Sequence, residues 1–182
     1  MSEDMNEDQV KFALETWKTA ISVQQHFNTI EMQIRNIAIT VLTATIGAAG
    51  LVFNQTQQTI QVAIKANQPI PPLYTTQILG INVSAAKIII FAGLLAWVAF
   101  YFMDRWWYHR LLQGSVKQAQ FIEDKIKKTS YGELMSLSNA IKKESPFKFL
   151  GIKQLQIHSD NKIDIFYGIV FILLISMILF VF

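Results

Sequence analysis

Apolar positions along this chain change their period three times. Between Val10 and Ile34, the residues Ala13, Leu14, Trp17, Ile21, Phe27, Ile30 and Ile34 recur at steps of three and four, interrupted at Gln24. Glu15, Lys18, Gln25, Asn28 and Glu31 fall between them, so the pattern is that of a helix with one covered face and one wet face. From Ile37 to Phe53 the charges vanish, and a helix of that length rises about 25 Å, close to the thickness of a hydrocarbon core. No helix breaker separates the two stretches. The pattern therefore predicts one helix from about Asp8 to Phe53.

A second apolar run, Val83 to Met103, holds one charge, Lys87, near its start, where a long side chain reaches the headgroups. Leu112, Val116, Ala119, Ile122 and Ile126 then resume the helical period, which predicts continuation to about Lys128. Ser130 with Glu133 has the spacing of a capping box that opens a helix to Glu144, closed by Ser145 and Pro146. "FKFLGIKQLQIHSDNKID" mixes apolar and cationic residues without a period, as expected at a membrane surface. A third apolar run, Ile165 to Phe182, ends the sequence.

Composition agrees with three spans: 52% of the 182 residues are hydrophobic and only 16% charged, values foreign to a soluble domain. Orientation follows from cations. One Lys/Arg lies between Asn54 and Asn82, against eleven between Asp104 and Asp164, and flanks rich in Lys/Arg stay in the cytoplasm. The expected fold is an all-α integral membrane protein with three transmembrane helices and helical cytoplasmic extensions. Residues 1–36 form a cytoplasmic amphipathic helix, 37–53, 83–103 and 165–182 the spans, 54–82 an outer loop and 104–164 a cytoplasmic helical region. The outer loop, rich in amides and carrying Pro69, Pro71 and Pro72, is expected to be irregular. The N-terminus lies inside and Phe182 at the outer face. The acidic start "MSEDMNED" lacks the positive region of a secretory signal, so insertion is expected to use the internal runs.

Chemistry is sparse. With no cysteine and three histidines that are far apart, His26, His109 and His158, the sequence shows no metal-ligand spacing, no glycine-rich phosphate loop and no cofactor motif. Glu123 and Asp124 are adjacent, point in different directions on a helix and read as a solvated face. The roughly 60 residues between the second and third spans are few for an independent enzyme core. A non-catalytic protein is expected.

Two patches remain. "DRWWYHR" (Asp104 to Arg110) follows the second span, and Trp106, Trp107 and Tyr108 have the composition of an interfacial anchor against anionic lipid. Arg105, His109, Arg110 and Lys117 begin a cationic strip that continues through Lys125, Lys127 and Lys128, and cations interleaved with aromatics hold phosphates and stack bases. The spacing of Arg105 and His109 places them on one helix face, so these four residues are the candidate anion site. In the first span, Thr40, Ala44 and Ala48 fall at successive steps of four beside Thr43, Gly47 and Gly50. Small residues so spaced pack helices closely or line a mildly polar pore. Together with an uncovered cytoplasmic stripe, they predict a homo-oligomer, a tetramer or larger, closed by cyclic symmetry about the first span.

The stretches "QQHFNTIEMQIRNIAITVLTATIGAAGLVF" (Gln24 to Phe53) and "FYFMDRWWYHRLLQGSVKQAQFIED" (Phe100 to Asp124) resemble small bacterial membrane effectors of nucleotide-signalling anti-phage systems, the transmembrane effector of the Hailong system among them. The resemblance implies a homo-oligomeric inner-membrane effector that opens or depolarises the membrane. It also implies control by a nucleotide or short oligonucleotide that a nucleotide-synthesising partner supplies. The competing expectation is a structural or accessory oligomeric membrane protein, and behind it a membrane-embedded enzyme.

Overall fold

The computed structural model describes residues 6–69, 75–78, 80–127, 129, 132, 136–144, 147–148, 156–157 and 159–180. Helix α1 runs from Glu7 to Lys65, β1 (Thr75–Ile78) pairs with β2 (Ile81–Ser84), and α2 (Ala85–Phe102) leads through a π-helical segment, Met103–Tyr108, into α3 (His109–Ile126). The short helix α4 (Leu137–Glu144), a two-residue ladder of β3 (Phe147–Lys148) with β4 (Gln156–Ile157), and α5 (Ser159–Phe180) complete the order. Three helices are long and apolar enough to cross a membrane: α1, the continuous run Ala85–Ile126, and Asn161–Phe180. The helical fold class expected from the sequence is observed, apart from two small antiparallel pairs.

Both ends of α1 carry local signals. Asn6 and Gln9 form a reciprocal capping box, each side-chain oxygen accepting the other's backbone N–H at 2.8 and 3.0 Å, which satisfies donors that a helix start leaves bare. At the far end Asn67 takes a φ of 53°. Its N–H bonds to the carbonyl of Ile64, and that of Gln68 bonds to Ala63. This left-handed closure, with Pro69 just beyond, stops the helix. The segment after Phe53 is therefore not irregular as expected: it is helical to Lys65, because Val52, Thr56, Ile60 and Ala63 continue the inward stripe at steps of three and four. Gly80, with φ of 80°, supplies the left-handed residue in the tight turn between β1 and β2.

The chain divides into two compact units. The first holds residues 1–34 and 102–165, the second 35–101 and 166–182. In the first, α1 and α3 pack through Ala20, Ala119, Ile122 and Ile126, with Ala13, Leu14, Trp17 and Ile21 against them. Trp17 meets Glu123 and Glu31 meets His109, and the two contacts are fourteen residues apart on each helix. The helices thus run antiparallel in a fixed register without slip.

In the second unit the buried face of α2 is Ala86, Ile90, Gly93, Leu94 and Trp97. Trp97 donates its indole N–H to the carbonyl of Tyr167 at 3.0 Å, inside a cluster of rings formed with Phe166 and Tyr167. Gly93 lies against Thr45 so closely that an added Cβ would stand 2.3 Å from the threonine methyl. The α1 residues that face inward here are Ala38, Thr45 and Ala49.

The capping box expected at Ser130 and Glu133, and the helix stop at Ser145 and Pro146, lie outside the described residues, as does Lys128.

Candidate functional site

Helix α3 has two chemically different faces. Its inner face buries three polar groups. The π-helical segment places Asp104 and His109 on this side: in an α-helix residues five apart diverge by about 140°. The wider turn, in which the His109 N–H bonds to the Asp104 carbonyl, brings them towards one side. Asp104 is wholly buried and His109 nearly so. The imidazole Nδ1 lies 3.2 Å from Glu31 Oε1, and the Gln113 amide nitrogen lies 3.1 Å from Nε2. Both ring nitrogens of His109 are thus engaged, one by a carboxylate and one by an amide.

Further along the same face, Glu123 is 2% exposed. It accepts the Trp17 indole N–H at 3.0 Å and the backbone N–H groups of Ser138 and Asn139 at 2.8 and 2.9 Å. Those amides belong to the first turn of α4, so Glu123 serves as an N-terminal cap supplied from another helix. Burial pushes its carboxyl pKa up, but the donated hydrogen bonds from Trp17, Ser138 and Asn139 outweigh burial and hold it below the ordinary value. The expectation of a solvated Glu123–Asp124 face is thus corrected for Glu123. Asp124 is exposed and accepts the Asn139 side-chain amide at 3.3 Å. Glu31, read from its neighbours as part of a wet face, is likewise buried.

The outer face of α3 is the opposite in character. Trp106, Arg110, Lys117, Phe121 and Lys125 are all exposed and share one side at steps near multiples of a helical turn. The Arg110 guanidinium stacks 4.9 Å from the centre of the Trp106 ring, and the Lys125 ammonium stands 5.5 Å from that of Phe121. Each ring orients a cation while leaving it in water, and Lys117 lies between the two pairs. The result is a strip of three cations and two aromatic rings open to an anion.

The structure therefore separates the four candidate anion residues. Arg110 and Lys117 share the outer face. His109 is turned inward to Glu31, and Arg105 pairs through Nε with Asp164 Oδ1 at 3.1 Å. The four-residue spacing of Arg105 and His109 does not make a shared site, because the first turns to Asp164 and the second to Glu31. Lys125, part of the expected cationic strip, and Phe121 complete it. The signal that could have found Phe121 is its four-residue step from Lys117 on the same helix. Trp106 and Trp107, the expected anchor residues, are exposed and Tyr108 is half-buried.

On α1, Thr40, Thr43, Ala44, Gly47 and Ala48 are exposed and Gly50 is half-buried. A Cβ added at Gly47 or Gly50 would meet nothing within 4 Å, so the chain's own helices use a different face of α1. The Thr40 and Thr43 hydroxyls donate to the carbonyls of Asn36 and Ile39 at 2.9 Å, which leaves a smooth patch of small side chains. Among the described residues no group of three or more potential ligands is arranged to hold a metal ion. Comparison with protein-family models, with characterised proteins and with solved structures returns no significant match.

Proposed function

We propose that this chain is the subunit of a homo-oligomeric effector of the bacterial inner membrane. It permeabilises or depolarises the membrane in a channel-like way, under control of a nucleotide or short oligonucleotide bound on the outer face of α3. The observation that carries this reading is the exposed strip Trp106, Arg110, Lys117, Phe121 and Lys125, in which cations are stacked on rings, the combination that holds phosphates and bases. The uncovered small-residue patch of α1 supports self-association through the first span. The defence setting and a nucleotide-synthesising partner rest on the juxtamembrane resemblance. In this reading the protein is non-catalytic, its N-terminus and α3 face the cytoplasm, and Trp106 and Trp107 rest among anionic lipid headgroups.

A second reading, a structural or accessory membrane assembly, is favoured by the internal engagement of His109 and Arg105, which turns two of the four expected anion-site residues to contacts within the chain. Expression of the protein alone, with growth and membrane potential recorded, separates the two. An effector collapses the potential, either constitutively or when short oligonucleotides are supplied or withdrawn. A potential that never departs from that of empty cells, with or without oligonucleotide, would leave the structural reading.

A further inference from the structure

We infer that Glu15, Thr19 and Val23, the part of the outward strip of α1 (Asp8, Phe12, Glu15, Thr19 and Val23) that lies level with α3, dock on the outward strip of α3 of a second copy. Subunit contact and a polyanion then compete for the same cations. This inference rests on the homo-oligomer proposed above and adds where the cytoplasmic parts touch.

Three properties of the first unit lead there. The two strips share one spacing: Asp8, Phe12, Glu15, Thr19 and Val23 advance by four, three, four and four, as do Arg110, Gly114, Lys117, Phe121 and Lys125. Every one of these residues is exposed. Each strip also carries bare apolar surface, with Phe12 72% exposed on one and Phe121 57% on the other. Their charges are of opposite sign, and among the described residues Asp8, Glu15, Arg110, Lys117 and Lys125 form no ion pair within the chain.

Geometry then fixes the register. Within one chain α1 and α3 are antiparallel, with Trp17 level with Glu123 and Glu31 level with His109. Copies closed in a ring about an axis along these helices have no rise from one to the next. The α3 of a neighbour therefore lies at the same height as the chain's own, and the boundary repeats the internal register. Glu15 falls level with Lys125, Thr19 with Phe121 and Val23 with Lys117 of the neighbour. All six belong to the two strips. The sequence was not required to place an acid opposite a cation, or a valine beside the stem of a lysine, in the register that the interior dictates.

The occupant is a second copy because sign, spacing and height are all supplied by the chain itself. An anionic membrane surface fits the α3 strip but repels Asp8 and Glu15, so it leaves the α1 strip unexplained. A polyanion fits Arg110, Lys117 and Lys125 and displaces the acidic strip, which turns ligand binding into a change at the subunit boundary.

The absence of native cysteine makes the test direct. The double variant Glu15→Cys with Lys125→Cys, treated in membranes with a short bis-maleimide, should give a ladder of linked chains. Links within one chain would still run as monomer, and each single variant should give no ladder. Saturating single-stranded oligonucleotide should suppress the ladder. Light scattering on the same detergent sample distinguishes the failures. An intact oligomer without a ladder overturns this docking and leaves the oligomer standing, whereas a monomeric mass overturns both. A ladder indifferent to oligonucleotide overturns the competition. Charge reversal guards against a folding artefact: Lys125→Glu should lower the oligomer's mass, and adding Glu15→Lys should restore it. Failure of the second change to rescue the first overturns the pairing.

Discussion

Glu31 and His109 meet across α1 and α3 at 3.2 Å, with each side chain only 4% exposed. Both stand in the seam that also holds the apolar cluster of Ala20, Ala119, Ile122 and Ile126. An imidazole held between a carboxylate and the Gln113 amide fixes one height of α3 against α1, because sliding by a turn would bury both groups unpaired. The same layer adjoins the π-helical turn, so the irregular backbone and the buried pair occur together.

Truncating either partner should therefore be costly. Glu31→Ala or His109→Ala is expected to destabilise the first unit by about 3 kcal/mol, since each breaks a buried pair by removing one of its members. Replacing both, Glu31→Ala with His109→Ala, should cost clearly less than the two single losses combined. Thermal unfolding of the four species in detergent gives the cycle. Additive effects would mean that the pair does not act as a unit.

Glu123 predicts an acid-sensitive α4. Its pKa is lowered in the folded chain, so the stability it contributes is complete above the ordinary carboxylate range, near pH 4.3. That contribution is lost as pH falls through the lower, folded value. Hydrogen exchange at the Ser138 and Asn139 amides should accelerate across that window and not above it. Glu123→Ala should open the same amides at neutral pH and cost about 3 kcal/mol, the loss of hydrogen bonds to a charged acceptor. Continued protection of Ser138 in that variant would place the capping of α4 elsewhere.

The three long apolar helices and the helical extensions beside them are legible because they depend on composition and period alone. The buried acids are not. Glu31 lies on an unbroken ladder of three- and four-residue steps, Ala13, Trp17, Ala20, Gln24, Phe27, Glu31, Ile34 and Ala38, all at least half-buried. Glu123 stands on a similar ladder between Ala119 and Ile126. Reading by residue type assigned both to water, whereas reading by position would have buried them. Gln24 interrupts the stripe by residue type, yet by position it is one of its rungs. The π-helical turn at Asp104 has no sequence period of its own, so the partners of Arg105 and His109 could not be read without the fold.

Two glycines should respond in opposite ways. An added methyl at Gly93 meets Thr45 at 2.3 Å. Gly93→Ala should thus strain the second unit by about 1–3 kcal/mol, lowering thermal stability. Gly47 faces open space, so Gly47→Leu should leave the stability of the single chain unchanged while lowering the mass of the oligomer. If Gly47→Leu keeps the wild-type mass by light scattering, the helix contact between subunits does not use this patch.

Topology can be read with the same cysteine-free background. A membrane-impermeant maleimide added to spheroplasts should label Gln68→Cys, beyond the end of α1, and spare Ala140→Cys on α4 until the membrane is opened. The motive is the imbalance of eleven cations to one across the two segments. Labelling of Ala140→Cys in intact spheroplasts would invert the arrangement and remove α3 from the cytoplasm.

The anion strip makes the sharpest demand on salt dependence. Each cation that neutralises a phosphate of a single strand contributes about 0.7 to the slope of log affinity against log salt. Arg110→Gln with Lys117→Gln should therefore weaken oligonucleotide binding and flatten that slope by about 1.4. Membrane insertion should remain intact, because both residues are exposed and support no buried contact. Arg105→Gln is the internal contrast. Its ion pair with Asp164 ties it to α5, so its loss should lower thermal stability and leave the salt slope unchanged. An anchor without a ligand predicts otherwise: no saturable binding to any oligonucleotide at low salt, and full regulation in the Arg110 and Lys117 double variant. Fluorescence anisotropy with a labelled single strand at two salt concentrations, run on the wild type and the two variants, decides between them.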